Sequence, residues 1–302
     1  MSEWTFKKLE ASDIPGIIRY FDMRPTLTCD STVFDTYLWR RYYNPEFCIC
    51  DERCLGWRMV SDEGIFLSLP LCTAEDLPFY FSECERYSHT DLGKPLLIYG
   101  VDEEALELLH LDEEKYRISE DRDYADYLYD AEKLRTLPGK KYHKKKNHIN
   151  AFLKEYEGRW RYRTLGPEDR AEVFALLDRW RASKSDDVGH HIEAEIEGLE
   201  DMFCDFPLFD ARMGGIEIDG RLEAFSAGTY NAARRMAIIH NEKADGDIRG
   251  LYALINREFL IHEFPDAEFV NREDDMGLPG LRKAKESYYP IAMVKKYVIE
   301  ER

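Results

Sequence analysis

One stretch of this sequence occurs twice, and it constrains the fold more than any other feature. Trp4-Thr5-Phe6-Lys7-Lys8-Leu9-Glu10-Ala11-Ser12-Asp13 aligns without gaps on Trp160-Arg161-Tyr162-Arg163-Thr164-Leu165-Gly166-Pro167-Glu168-Asp169, an offset of 156 residues in a chain of 302. Trp4/Trp160, Phe6/Tyr162, Leu9/Leu165 and Asp13/Asp169 correspond. Each copy alternates as a strand and passes a polar helix-start cluster. It then becomes a helix, Ile14 to Phe21 in one and Arg170 to Trp180 in the other. A repeat near half the chain length predicts two related domains, and the length itself suits about two.

The second half reads as mixed α and β. Helices are predicted over 168–183 and 190–203. A hairpin follows over 216–225, because Asp219-Gly220 suits a two-residue turn with positive φ. Next come a strand over 235–242, a helix over 248–262, a strand over 267–271, a helix over 279–287 and a last strand over 291–299. This is the element order of an N-acetyltransferase-like (GNAT) domain. In the first half, strands near 47–50, 55–60, 64–69 and 96–99 separate helices in a compatible way. The expected architecture is therefore α/β (α+β): two tandem N-acetyltransferase-like domains, each a mixed sheet flanked by helices. Boundaries are expected at 1–135, 136–158 for a basic connecting helix, and 159–302 for the domain carrying the site.

Charge singles out that connecting helix. Lys and Arg number 42 against 60 Asp and Glu, a net charge of −18. Residues 136–163 nevertheless carry nine basic and two acidic side chains. The acidic excess argues against wrapping by nucleic acid, so DNA is not expected, and against adhesion to an anionic membrane. A local basic site remains compatible with it. No apolar run approaches the roughly 18 residues needed to span a bilayer, and the N-terminus has no apolar signal core, so a cytoplasmic location is expected. Seven cysteines, at 29, 48, 50, 54, 72, 84 and 204, then read as reduced thiols. Cys48-x-Cys50-x3-Cys54 has no second knuckle, so no metal site is expected there.

The C-terminal stretch Gly280-Leu281-Arg282-Lys283-Ala284-Lys285-Glu286-Ser287-Tyr288-Tyr289-Pro290 is similar, ungapped, to a pattern of Gly-Leu, two residues, aromatic-Lys-x-Lys-aromatic-x-Pro. Lys285, Tyr288 and Pro290 match; Ala284 replaces an aromatic residue and Ser287 the second Lys. Through this motif the chain resembles the bacterial proteins grouped with the C-terminal domain of phosphatidylglycerol lysyltransferases. The resemblance covers essentially the whole chain. It implies two N-acetyltransferase-like domains, similar to the Fem-type aminoacyltransferases, and transfer of an acyl or aminoacyl group from an activated donor. It leaves the donor and the acceptor open.

Coenzyme-A-dependent relatives hold the pyrophosphate on an Arg/Gln-x-x-Gly-x-Gly/Ala loop at a helix N-terminus. Here the loop is Asp247-Ile248-Arg249-Gly250-Leu251-Tyr252. Gly250 alone fits; Asp247 adds negative charge and either repels the pyrophosphate or caps the helix. The basic island offers another phosphate site. On a helix over 140–154, Lys141, Lys144, Lys145 and His148 share a face, with Lys140 and Lys146 beside them. Such cations suit a tRNA acceptor arm; equally, they suit a solvated face that relieves the acidic excess.

Two polar stretches after apolar strands, 239–245 and 271–277, should meet where neighbouring strands splay. Acyl transfer needs a base, oxyanion donors and a proton for the leaving group. Glu242 and Asp274 are the expected base or amine grip. Lys285 balances developing negative charge, and Tyr288 protonates the leaving atom. His240, Lys243, Arg249, Gly250, Arg272, Asp275 and Lys283 are the expected substrate contacts. His190-His191 lacks metal-binding spacing, and Ser226 lies in a strand rather than a nucleophile elbow. Asp102-Glu103-Glu104 should open a helix.

The favoured function is aminoacyl transfer from an aminoacyl-tRNA to an amine or hydroxyl, including a small-molecule or lipid-headgroup acceptor. No tightly bound cofactor is expected. The alternatives are an acyl-coenzyme-A-dependent N-acyltransferase and a non-catalytic RNA-binding module.

Overall fold

Both copies of the repeated stretch build the same local structure in the computed structural model, which describes residues 4–61, 64–183 and 189–302. The side chains of Ser61 and 189–191 fall outside the description, and with them the His190-His191 pair. In each copy a strand leads into one 3-10 turn, Ala11–Asp13 or Pro167–Asp169, and then into a helix. Asp13 Oδ2 accepts the Glu10 amide at 3.1 Å, and Asp169 Oδ2 accepts the Gly166 amide at 2.8 Å. Their other oxygens meet Lys7 Nζ at 2.6 Å and Arg163 Nη1 at 2.5 Å. Every one of these residues has its counterpart 156 positions on. A carboxylate so placed ties down a backbone donor that the start of a helix leaves unpaired.

From the N-terminus the elements are β1 (Lys7–Lys8), α1 (Ile14–Phe21), α2 (Val33–Leu38), α3 (Arg40–Tyr43), β2 (Pro45–Cys50) and β3 (Cys54–Ser61). Then come β4 (Gly64–Ser68), α4 (Leu77–Tyr87), β5 (Leu97–Val101), α5 (Glu103–Leu109), β6 (Tyr116–Glu120) and β7 (Asp126–Asp130). Asp102 caps α5, its carboxylate accepting the Ala105 amide at 3.0 Å. Cys48, Cys50, Cys54, Cys72 and Cys84 are all buried in this half, beside Trp4, Tyr80, Tyr87 and Ile98. They are packing residues, and burial pushes the Cys84 thiol up.

The second half continues with α6 (Ala131–Thr136), α7 (His143–Glu155), β8 (Trp160–Leu165), α8 (Arg170–Ala182), α9 (Gly189–Cys204) and β9 (Ala211–Ile218). After these lie β10 (Arg221–Asn231), β11 (Met236–Ala244), α10 (Leu251–His262), β12 (Phe269–Asn271), α11 (Pro279–Glu286), β13 (Ala292–Val294) and β14 (Tyr297–Glu301). The β9–β10 turn is Asp219-Gly220, with φ of +52° and +82°, as its composition requires.

Two seven-stranded mixed sheets result, ordered β1-β2-β3-β4-β5-β14-β6 and β13-β7-β12-β11-β10-β9-β8. The last strand of each half is thus built into the sheet of the other: β14 lies between β5 and β6, and β7 between β12 and β13. The compact units therefore cross the linear boundaries expected at 135 and 158. One takes the chain up to Asp126 together with 274–278 and 293–302; the other takes 127–273 and 279–292. The single last strand expected over 291–299 is two strands. Between them, Lys296 turns its ammonium inward to Asp126 Oδ1 at 3.0 Å and Asp30 Oδ2 at 2.9 Å. No helix among the described residues is long and apolar enough to cross a membrane.

Candidate functional site

The second unit contains the strand separation that the sequence implied. β11 pairs with β12 in parallel only through Met236↔Phe269, Ala237↔Val270 and Ile238↔Asn271. β11 then runs on to Ala244 against β10 alone, and His240 is an extra residue in that ladder, between Ile239↔Gly228 and Asn241↔Ala227. An overhanging strand with a bulge turns polar side chains away from the sheet.

At this overhang Glu242 accepts Arg272 Nη2 on Oε1 at 2.9 Å and Asn256 Nδ2 on Oε2 at 3.1 Å. Both of its oxygens are occupied, so its plain task is to orient Arg272. The Arg272 side chain is only 11% exposed, and Nη1 is buried with no partner among the described residues. A buried donor left unpaired costs about 1–3 kcal/mol, which makes it a pointer to a ligand. The guanidinium lies 4.9 Å from the Tyr288 ring and 5.9 Å from that of Tyr129. Lys285 is buried and donates from Nζ to the Arg272 carbonyl at 2.5 Å, so it fixes the backbone that carries the guanidinium. Tyr142 donates to the Tyr288 carbonyl at 3.0 Å and Tyr129 to the Lys285 carbonyl at 2.9 Å, holding the end of α11 in place. Burial pushes the Tyr288 phenol up, so it stays protonated and can donate.

The basic island divides. Lys140, Lys141, Lys144 and Lys146 are exposed, Lys141 lying 5.1 Å from the Tyr289 ring. Lys145 turns inward instead, 3.7 Å above the Tyr288 ring. His148 is half-buried, and burial, with Arg249 next, pulls its pKa down.

Other expected contacts are engaged elsewhere. His240 is 0% exposed at its side chain; Nε2 meets Thr229 Oγ1 at 2.8 Å and Nδ1 meets Glu273 Oε1 at 2.8 Å. That line has the order of a nucleophile, a base and an acid, yet Thr229 is buried in mid-strand on β10. Lys243 pairs with Glu195 at 2.8 Å and lies over Trp180. Lys283 is exposed on α11. Asp274 and Asp275 belong to the other unit. There Asp275, fully buried, accepts Arg122 Nη1 at 3.3 Å and the Gly277 amide at 3.0 Å, while Asp274 accepts the Met276 amide at 2.9 Å.

The coenzyme-A loop has a structural explanation in α7. Gly250, at φ +91°, is the N-cap of α10; a Cβ there would stand 2.4 Å from the His148 carbonyl oxygen. The glycine admits the close approach of α7. Asp247 is exposed and is not the cap, which sets aside that one of its two readings.

Sequence reasoning missed Asn256 and Tyr129. Asn256 carried a signal: it is an amide inside the apolar run Leu254-Ile255-Asn256, on a helix whose neighbours are buried. Tyr129 carried none, because the strand that bears it comes from the other half of the chain.

A profile of the family described as phosphatidylglycerol lysyltransferase, C-terminal, matches residues 25–300. A crystal structure of a Bacteroides thetaiotaomicron protein of unknown function is 28% identical, with a TM-score of 0.89 over 99% of this chain and all of that one. L-PGS from Bacillus licheniformis is 14% identical, with a TM-score of 0.68 over 97% of this chain and 92% of that one. A GNAT-family acetyltransferase from Colwellia psychrerythraea is 11% identical, with a TM-score of 0.51 over 99% of each chain. At the last two identities the likeness is one of fold, and that fold is GNAT-like. An uncharacterised Mycoplasmoides gallisepticum protein is 27% identical over 177 residues, 58% of this chain and 56% of its own length.

Proposed function

The chain belongs to the phosphatidylglycerol lysyltransferase C-terminal family, and from that premise we propose that it transfers an aminoacyl group from an aminoacyl-tRNA to an amine or hydroxyl acceptor. The observation that carries the reading is the buried, unpaired Nη1 of Arg272, at the open edge of β11 and fixed by Glu242. A guanidinium held in a desolvated site stabilises the oxyanion that forms when an acceptor attacks an ester carbonyl. Tyr288, kept protonated, supplies a second donor. The acceptor's N–H or O–H adds across the ester, the proton ends on the departing ribose oxygen, and the aminoacyl group moves. Glu242, Asn256 and Lys285 hold the donors in place.

Two features favour a tRNA donor over coenzyme A. Gly250, the one match to a pyrophosphate loop, is accounted for by α7. The exposed lysines Lys140, Lys141, Lys144 and Lys146 lie on the segment that also brings Lys145 to Tyr288, so a bound acceptor stem would deliver its aminoacyl end nearby.

The test is retention of total aminoacyl-tRNA on filters across a salt series, with acetyl-coenzyme A as competitor. We expect retention that weakens steeply with salt, resists coenzyme A, and falls at least tenfold in Lys140/Lys144/Lys146→Glu. Competition by coenzyme A would move the reading to an N-acyltransferase. Retention without any enzyme-dependent loss of the aminoacyl ester would leave an RNA-binding module.

A further inference from the structure

Lys145 differs from every other lysine of the basic segment. Its amine sits 3.7 Å above the Tyr288 ring, and no carboxylate lies within ion-pair distance of it among the described residues. The Arg272 guanidinium lies 4.9 Å from the same ring. The charged and titratable groups that face Lys145 come from each surrounding element. They are Arg272 after β12, Glu242 on β11, Tyr288 after α11, and Lys144 and His148 on its own helix. Glu242 is the one carboxylate among them, and both its oxygens are engaged by Arg272 and Asn256. An ammonium here is therefore half desolvated, repelled by a fixed guanidinium and partly compensated by a ring face.

We propose that Lys145 is the proton acceptor of this site, taking the proton from the acceptor's amine or hydroxyl as that atom attacks the aminoacyl ester. The inference rests on the transfer reading above and assigns within it the base that Glu242 is too fully engaged to provide. The acceptor atom's lone pair forms the new bond to the carbonyl carbon; its N–H or O–H bond breaks, the bonding pair stays on that atom, and the proton passes to Lys145 Nζ. The carbonyl π pair moves onto oxygen beside Arg272. Collapse expels the ribose oxygen, which takes the proton back from the Lys145 ammonium, so the amine is regenerated and no other reactant is consumed. Burial, with the Arg272 charge next, lowers the Lys145 pKa to about 8, so about a tenth is free amine at pH 7, far more than for an ordinary lysine.

Two measurements on the full chain test this. First, trace acetic anhydride labelling between pH 6 and 11 with peptide mass spectrometry should give Lys145 a midpoint near 8. A midpoint at the ordinary lysine value of about 10.4 overturns the proposal. Second, the enzyme-dependent loss of aminoacyl ester from total aminoacyl-tRNA should rise with pH through that midpoint. Lys145→Met and Lys145→Arg should each lose that limb and at least 100-fold in rate, while filter retention of the tRNA stays intact. The arginine variant keeps the charge, so the test survives if the methionine variant folds poorly. Unchanged turnover in the arginine variant sinks the base and leaves the transfer reading standing. No turnover in the wild type removes that reading and the base with it.

Discussion

In the first unit β4 stops where its parallel pairing with β5 stops, while β5 runs on to Val101 against β14. The last partners of the parallel pair are Ser68 and Tyr99, and the chain then passes buried Leu69 and Pro70 to Leu71, which bridges back to Leu55. In the second unit the equivalent pair β11–β12 ends at Ile238 and Asn271, while β11 continues to Ala244 with His240, Asn241, Glu242 and Lys243 on the overhang. The same sheet plan thus yields a closed apolar edge in one case and a polar opening in the other. Buried charge differs in step. In the first unit Lys296 is held by Asp30 and Asp126, and Arg24 makes a two-pronged pair with Asp102 at 2.9 and 2.7 Å, although its Nε is buried with no partner among the described residues. In the second, among the described residues, Arg272 keeps one nitrogen unpaired and Lys145 has no carboxylate at ion-pair distance. The difference is therefore one of place: Arg272 stands at the polar opening of β11, where an incompletely paired buried charge can gain a ligand.

The largest expected effect tests the exchanged strand. Deleting Tyr297–Arg302 removes β14 from between β5 and β6, together with the fully buried Ile299. We expect the first unit to lose its slowly exchanging amides in β5 and β6 while those of β9 and β10 persist. Protected β5 amides in the truncated chain would show that the first sheet does not need the borrowed strand.

A paired substitution sharpens the contrast in buried charge. Asp126→Asn leaves Lys296 with Asp30 as its carboxylate, and Glu242→Gln leaves Arg272 with none among the described residues; they should cost about 1–3 and about 3–5 kcal/mol in urea unfolding. Aminoacyl-ester turnover should survive the first and be lost in the second. Equal activity in both would erase the distinction between the units.

The smallest effect concerns Lys145. Its folded pKa lies below the unfolded one, so holding the ammonium in place works against folding. That penalty is fully present below about pH 8 and disappears as pH rises toward 10.5. Lys145→Met should therefore raise stability near pH 7 by about 1–2 kcal/mol, after allowing for solvent screening at a half-buried site. The gain should shrink steadily toward pH 10. A gain that does not vary with pH would mean packing, not charge, explains it.

Much of this was written locally. The repeat, the Asp219-Gly220 hairpin and the helix over the basic segment follow from patterns a few residues long, and the structure has all three. The polar content of 239–245 likewise marked the overhang. What the sequence did not carry was the partner of each side chain. Glu242 reads as a free base until Arg272 and Asn256 are seen on its two oxygens. Asp274 and Asp275 read as its neighbours, because they follow Arg272 in the chain, yet they fold into the other unit. Lys145 reads as one more cation on a helix face until it is seen over Tyr288.

By itself, then, the sequence determined two related α/β halves, the positions of most strands and helices, and the polar stretch on which β11 overhangs its sheet. These follow from periodicity, turn chemistry and a repeated capping carboxylate, all of which act over short chain separations. Tertiary structure alone decided that each half gives its last strand to the other sheet, and that one lysine of a basic run is drawn inward and partly desolvated. Both depend on contacts between residues more than a hundred positions apart, and on how far a charge is withdrawn from water.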